Sequence, residues 1–238
     1  MTITEKSWNK YVKMLRKMNE TAADQMLQYI ERYGMDNKKL IDYAYAIATK
    51  YGEGSASLAA MMYEAIAEAE GLFLPAAEVA ATATYSEVAK TINGTLKTGN
   101  KNIVSRAVGT LVKKAGADTT LKNAIRDKAE FAWIPSGDTC AYCLTLASKG
   151  WQPISADALK NGHAEHIHAN CDCNYAVRFS KKTNVAGYKP EKYKEIYDNA
   201  EGETGKEKIN SIRRRFYEQN REKILEQKKI AYEARKED

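Results

Sequence analysis

Along residues 5–33 the apolar positions Trp8, Val12, Leu15, Met18, Ala22, Met26, Leu27 and Ile30 recur at intervals of three and four. That is the period of a helix with one buried face, and Gly34 ends it as a residue just past a helix terminus does. The same pattern predicts a second helix over about 38–50, stopped by Gly52, and a third over about 56–70, stopped by Gly71. A fourth starts with Pro75 in its first turn and runs toward Asn93, with a break near Thr84. Two more fit about 101–115 and 119–133. This stretch is rich in alanine and nearly free of the two-residue alternation of strands, so residues 1–133 read as an α-helical body.

The pattern changes at Ile134-Pro-Ser-Gly-Asp138, where Pro and Gly punctuate the chain. A short helix is expected from Asp138 or Thr139 to Gly150, and a capped turn from Ser155 to Lys160. Cys173-Asn-Tyr-Ala-Val-Arg-Phe179 is the best strand in the sequence. Residues 134–180 therefore form a compact, irregular α+β unit. From Lys181 onward helices fit about 190–200 and 205–235. The apolar stripe of the last one (Ile209, Ile212, Phe216, Ile224, Ala231) is thin, and its heptad fails at Lys223 and Glu226, which argues against a self-sufficient coiled coil. The expected fold is mainly α: a multi-helix body, a small central unit (134–180) and a charged helical tail (181–238).

Composition narrows the class. Of 238 residues, 44% are hydrophobic and 29% charged, a globular balance that excludes a wholly disordered chain. The longest apolar stretch, 71–85, is cut by Pro75 and Glu78, and the first residues lack the apolar core of a secretory signal. The expectation is a soluble protein without a membrane partner. The net charge is +6, of which +4 falls in residues 181–238. Arg213-Arg-Arg215 and Lys228-Lys229 make the tail a candidate contact for DNA phosphates. The interleaved acids Glu218, Glu222 and Glu226 favour a simple solvated helix face.

The chemistry is concentrated. All four cysteines (Cys140, Cys143, Cys171, Cys173) and all three histidines (His163, His166, His168) lie between 140 and 173. Cys140-Ala-Tyr-Cys143 at a helix start projects two thiols from one turn. Cys171 and Cys173 in an extended segment point the same way, and His168 lies one turn before them. Soft thiolates with imidazole are what structural Zn2+ takes. Cys140, Cys143, His168, Cys171 and Cys173 supply five candidates for four places. His163 and His166 read as exposed loop residues, and Trp133 and Trp151 as the apolar floor of the unit.

Catalytic readings fit less well. His163-Ala-Glu165 has the H-x-E of zinc deaminases, but the C-x-x-C precedes it rather than follows. A redox pair at Cys140 and Cys143 would need a βαβ setting. A zinc-dependent nuclease using His166 or His168 would need more strand than is visible, and a zinc-finger DNA-binding module is the other alternative.

The residues from Ile-Pro-Ser-Gly-Asp-Thr-Cys140-Ala-Tyr-Cys143-Leu through Gly150-Trp151 to His168-Ala-Asn-Cys171-Asp-Cys173 resemble the minor head proteins of tailed bacteriophages, the Mu F-like head morphogenesis family. Members often carry Pro after the His, where this chain has Ala169. The resemblance implies a non-enzymatic minor capsid protein of the virion, assembled in the host cytoplasm. It implies docking on the portal or the major capsid protein during head assembly, DNA packaging or ejection. It also matches Cys140, Cys143, His168, Cys171 and Cys173 to the family's metal-ligand motif, and it carries over no catalytic residue.

Overall fold

A computed structural model describes residues 2–136, 139–153 and 173–234. The described residues are mainly helical, with a small antiparallel sheet. By internal contacts the chain divides into two compact units. The first takes Met1–Gly137 and Trp151–Tyr188; the second takes Asp138–Gly150 and Lys189–Asp238. Each is thus built from two separate stretches of sequence, and the central 134–180 region contributes to both.

The first unit is organised around four helices. Helix α1 (Glu5–Tyr33) is opened by Thr4, whose Oγ1 accepts the Ser7 amide at 3.1 Å. Its periodic face, Trp8, Tyr11, Leu15, Ala22, Met26 and Ile30, is buried, and Gly34 closes it at φ +83°. Helix α2 (Leu40–Ala69) is continuous where the sequence pattern predicts two helices broken at Gly52. Gly52 is a contact point instead of a stop: a Cβ there would stand 2.9 Å from Thr82 Cγ2. Gly71, at φ +74°, ends α2. Its amide donates to Glu68 O, and the Leu72 amide donates back to Ala67 O, the paired bonds of a Schellman end.

Residues 72–84 carry no regular secondary structure, so the helix expected from Pro75 toward Asn93 forms only beyond its expected break near Thr84. This strap is fastened by side chains. Glu64 Oε1 accepts from the Ala77 amide at 2.8 Å, and Thr119 Oγ1 from Ala80 at 3.0 Å. Asn123 both accepts from the Glu78 amide and donates to its carbonyl. Thr84 then caps α3 (Tyr85–Leu96) through a reciprocal box with Glu87.

Helix α4 (Lys101–Arg126) likewise runs through the expected break near residue 116. It is buried on several sides, packed against α1, α2 and α3. A Cβ on Gly116 would lie 2.6 Å from Ser55 Oγ, and one on Gly109 would lie 2.8 Å from the Asn19 carbonyl oxygen. Glycine lets three helix backbones approach here. Helix α4 ends at Arg126, short of the expected 133, and Lys128 just past it is a non-glycine residue at φ +53°. The Ala129 amide donates back to Ala124 O at 2.8 Å.

The chain then forms strands in place of the expected helix end. Strand β2 (Glu130–Ile134), numbered after the short β1 (Thr2–Ile3), pairs antiparallel with β4 (Asn174–Arg178) and with β3 (Gln152–Pro153). Trp133 sits opposite Tyr175 and packs edge-on against it, with ring centroids 4.5 Å apart. At the other end of the ladder Arg178 is ion-paired to Glu130 at 2.6 Å. Strand β1 pairs in parallel with β5 (Asn184–Val185).

The second unit contains α5 (Ala141–Ala147), α6 (Pro190–Asp198), α7 (Gly205–Gln219) and α8 (Arg221–Ala234). Ala141 and Leu144 of α5 pack with Ala200 and Ile212, and Tyr193, Ile209 and Phe216 surround them. The Ile209, Ile212 and Phe216 part of the tail's stripe is thus a docking face for α5. The helix expected over 205–235 is two helices, α7 and α8, with Asn220 between them.

Candidate metal centre

The start of α5 is built by its first cysteine. Cys140 is the N-cap, in extended conformation, and its Sγ accepts the backbone amide of Cys143 at 3.4 Å. The next amide, Leu144 N–H, donates to the Cys140 carbonyl at 3.0 Å. One helical turn therefore brings both sulfurs to the same end of the helix, with Cys140 exposed and Cys143 fully buried. An N–H···S contact lowers the cost of holding negative charge on sulfur, and the thiolate is the form that binds metal. Tyr142 between them has its phenol pKa raised, first by burial and then by the charges of Cys143 and Cys140.

Cys173 lies in the other unit, immediately before β4, and is 1% exposed. It borders a cavity of about 10 Å³ that Ser55, Lys113, Trp133 and Tyr175 also line. Ser55 Oγ and Trp133 Nε1 are buried there with no hydrogen-bond partner. His163, His166, His168 and Cys171 fall outside the described residues. Among the described residues no group of three or more His, Cys, Asp or Glu is placed to hold a metal ion. Of the five candidates, the structure brings together the Cys140–Cys143 pair. That pair supplies two thiols from one helical turn, the donor chemistry of half a tetrahedral thiolate set.

Of the two tryptophans expected to floor this region, Trp133 is a buried residue of β2 on the cavity beside Cys173. The Trp151 indole nitrogen donates to Asn184 Oδ1 at 3.2 Å, and the Arg178 guanidinium sits 4.7 Å over its ring. On the tail, Arg213 and Arg214 are exposed, whereas Arg215 turns back to donate to the Asn199 carbonyl at 3.3 Å. No described helix is long and apolar enough to cross a membrane.

Comparison with known proteins gives one match. A family model described as VG15 protein covers residues 2–200, from the start of α1 through the end of α6. No curated protein and no solved structure matches the chain.

Proposed function

This chain belongs to the VG15 protein family, a family of phage gene products associated with the virion, and from that membership we propose that it is a minor capsid protein acting in head morphogenesis. It works without catalysis, by docking on the portal or procapsid during head assembly, DNA packaging or ejection. The match over residues 2–200 is the observation that carries the reading. Supporting it, the motif residues Cys140 and Cys143 stand on one turn with an N–H···S bond between them.

The zinc proposed for this protein is structural. Cys140 and Cys143 supply two ligands, and His168, Cys171 and Cys173 compete for the other two. Bound there, Zn2+ supplies tetrahedral closure of a loop-rich segment, and its binding energy becomes folding energy for that segment.

The first test is the copy number of this protein relative to the portal protein, measured by quantitative mass spectrometry on gradient-purified particles and procapsids. A few copies per particle are expected. Abundance in the lysate with absence from both particle types would overturn the capsid reading and move a zinc-dependent nuclease or DNA-binding module to the front.

A further inference from the structure

The turn between α1 and α2 carries a feature that neither the cysteine motif nor the capsid reading uses. Tyr29, Tyr33, Asn37, Lys38 and Lys39 line an open concavity of about 580 Å³, within the size range of small-molecule sites. Its aromatic wall is a ladder of rings. Tyr43 stacks on Tyr29 at 4.0 Å and 16°, Tyr29 meets Tyr33 at 4.8 Å, and the Arg32 guanidinium stands 5.3 Å from the Tyr33 ring. The inner rungs are anchored. Tyr29 and Tyr43 pack against the core of α1, α2 and α4, and the Tyr29 hydroxyl donates to Asn37 Oδ1 at 3.3 Å. The outer rung is not needed for packing, since Tyr33 is 49% exposed.

The rim is cationic. Lys38 and Lys39 are exposed on the concavity, and Arg32 stands beside it. Two of the three acids nearby are engaged elsewhere: Glu31 by Lys101 at 2.9 Å, and Asp42 by the Tyr85 hydroxyl at 2.8 Å. The third, Asp36, is exposed. Asn37 fixes the turn, because its Oδ1 also accepts the Lys39 amide at 2.8 Å, so the two lysines leave the backbone at a set position.

A rigid exposed aromatic face with two ammonium groups beside it complements a planar base joined to a phosphate. Base stacking on aromatic side chains with a basic track for the backbone is how proteins hold unpaired nucleic acid. We propose that the concavity formed by Tyr29, Tyr33, Asn37, Lys38 and Lys39 is a binding site for a nucleotide unit of single-stranded nucleic acid, with the base on Tyr33 and phosphates on Lys38 and Lys39. The site is separate from the basic tail, and it does not depend on the capsid reading.

The test is fluorescence anisotropy of a labelled short oligothymidylate with the full chain at low salt. The variants are Tyr33→Ala, Tyr33→Phe and the pair Lys38→Gln/Lys39→Gln; Arg213→Ala/Arg214→Ala removes the tail's exposed arginines as a control. Tyr33→Ala is expected to weaken binding about 5- to 150-fold, the range of one lost base stack, while Tyr33→Phe retains it. The lysine pair is expected to lower the slope of log affinity against log salt by about 1.4, the worth of two single-strand phosphate contacts. Thymidine monophosphate separates the sources. Weak competition supports a strand, and competition matching the strand's affinity per nucleotide assigns the same site to free nucleotides. No binding by the wild-type chain, an unchanged Tyr33→Ala, or equal affinity for an abasic strand or a duplex would each overturn the proposal.

Discussion

Gly109→Ala tests the central packing of the first unit. Alanine is favoured over glycine inside a helix by roughly 0.5–1 kcal/mol, so at an open helical site the change stabilises. At Gly109 the new Cβ would stand 2.8 Å from the Asn19 carbonyl oxygen and 3.6 Å from the Ala23 Cβ. An ordinary C···O contact is about 3.3 Å or more, so α1 and α4 must separate by about half an ångström. A backbone carbonyl cannot swing aside as a side chain can. Overpacking of this kind costs about 1–3 kcal/mol. The net expectation is a loss of up to about 2.5 kcal/mol, or a fall in Tm of up to about 10 °C for a chain of this size. Gly94→Ala in α3 is the matched control. A Cβ at Gly94 meets nothing within 4 Å, and this substitution is expected to raise Tm by about 1–4 °C. Thermal unfolding followed by helical circular dichroism reads both variants, with urea midpoints as a second measure. If Gly109→Ala proves as stabilising as Gly94→Ala, the close approach of α1 and α4 is not real.

Cys140→Ser is expected to reduce the zinc retained by purified protein, measured by metal analysis, and to loosen the segment around α5 while the first helices stay folded; unchanged metal content would remove Cys140 from the ligand set. Asp118 is a partly buried carboxylate whose pKa burial raises to about 6, with the Lys114 charge opposing and Glu87 adding to the shift. Because the folded value lies above the unfolded one, stability is expected to fall as pH rises from about 4 to 6. Asp118→Asn should abolish that slope and stabilise at pH 7 by at most about 3 kcal/mol, a ceiling lowered by solvent at the exposed edge; urea titrations across this pH range would show a persisting slope if another group is responsible. Lys128→Gly relieves a left-handed backbone and is expected to gain about 0.5–1 kcal/mol in urea unfolding, whereas a loss would mean that the lysine side chain supports the turn. Tyr63→Phe deletes the one phenol proton that the Asn123 carbonyl (2.9 Å) and the Asp127 carboxylate (2.8 Å) share and is expected to cost about 1–3 kcal/mol; an unchanged urea midpoint would show that these acceptors find other donors.

The helical character of the body was legible because periodic apolar faces survive any detail of packing, as the 5–33 stripe shows. The breaks were harder to read. Gly52 and Gly116 carry the composition of helix stops, yet both lie inside helices where neighbouring atoms come within 3 Å of a notional Cβ. A single sequence does not distinguish a glycine that ends a helix from one that admits a neighbour. The opposite error occurs at Lys128, where the helix ends on a residue that carries no stop signal. That hid strand β2, so the partner of the strand read at 173–179, which is β4 (Asn174–Arg178), was missed and the sheet was invisible. Pro75 signals a helix start equally well as an extended segment, and the strap's fastenings come from Glu64, Thr119 and Asn123, far away in sequence. At the candidate metal centre, the local half was legible. The i, i+3 spacing placed Cys140 and Cys143 on one turn, as observed. The stacked tyrosines were missed because Tyr43 joins Tyr29 only across the α1–α2 turn. The available signal was Tyr at i and i+4 at a helix end followed by Asn-Lys-Lys.

The discontinuous make-up of the second unit sets a timetable for synthesis. Helix α5 leaves the ribosome long before Ala200 and Ile212, the residues that cover Ala141 and Leu144. At about 5–20 residues per second, the delay between Ala147 and Ile212 is roughly 3–13 s. Throughout that interval Ala141 and Leu144 lack these two covering residues. The apolar face of α5 is therefore made early and completed late, when α7 arrives.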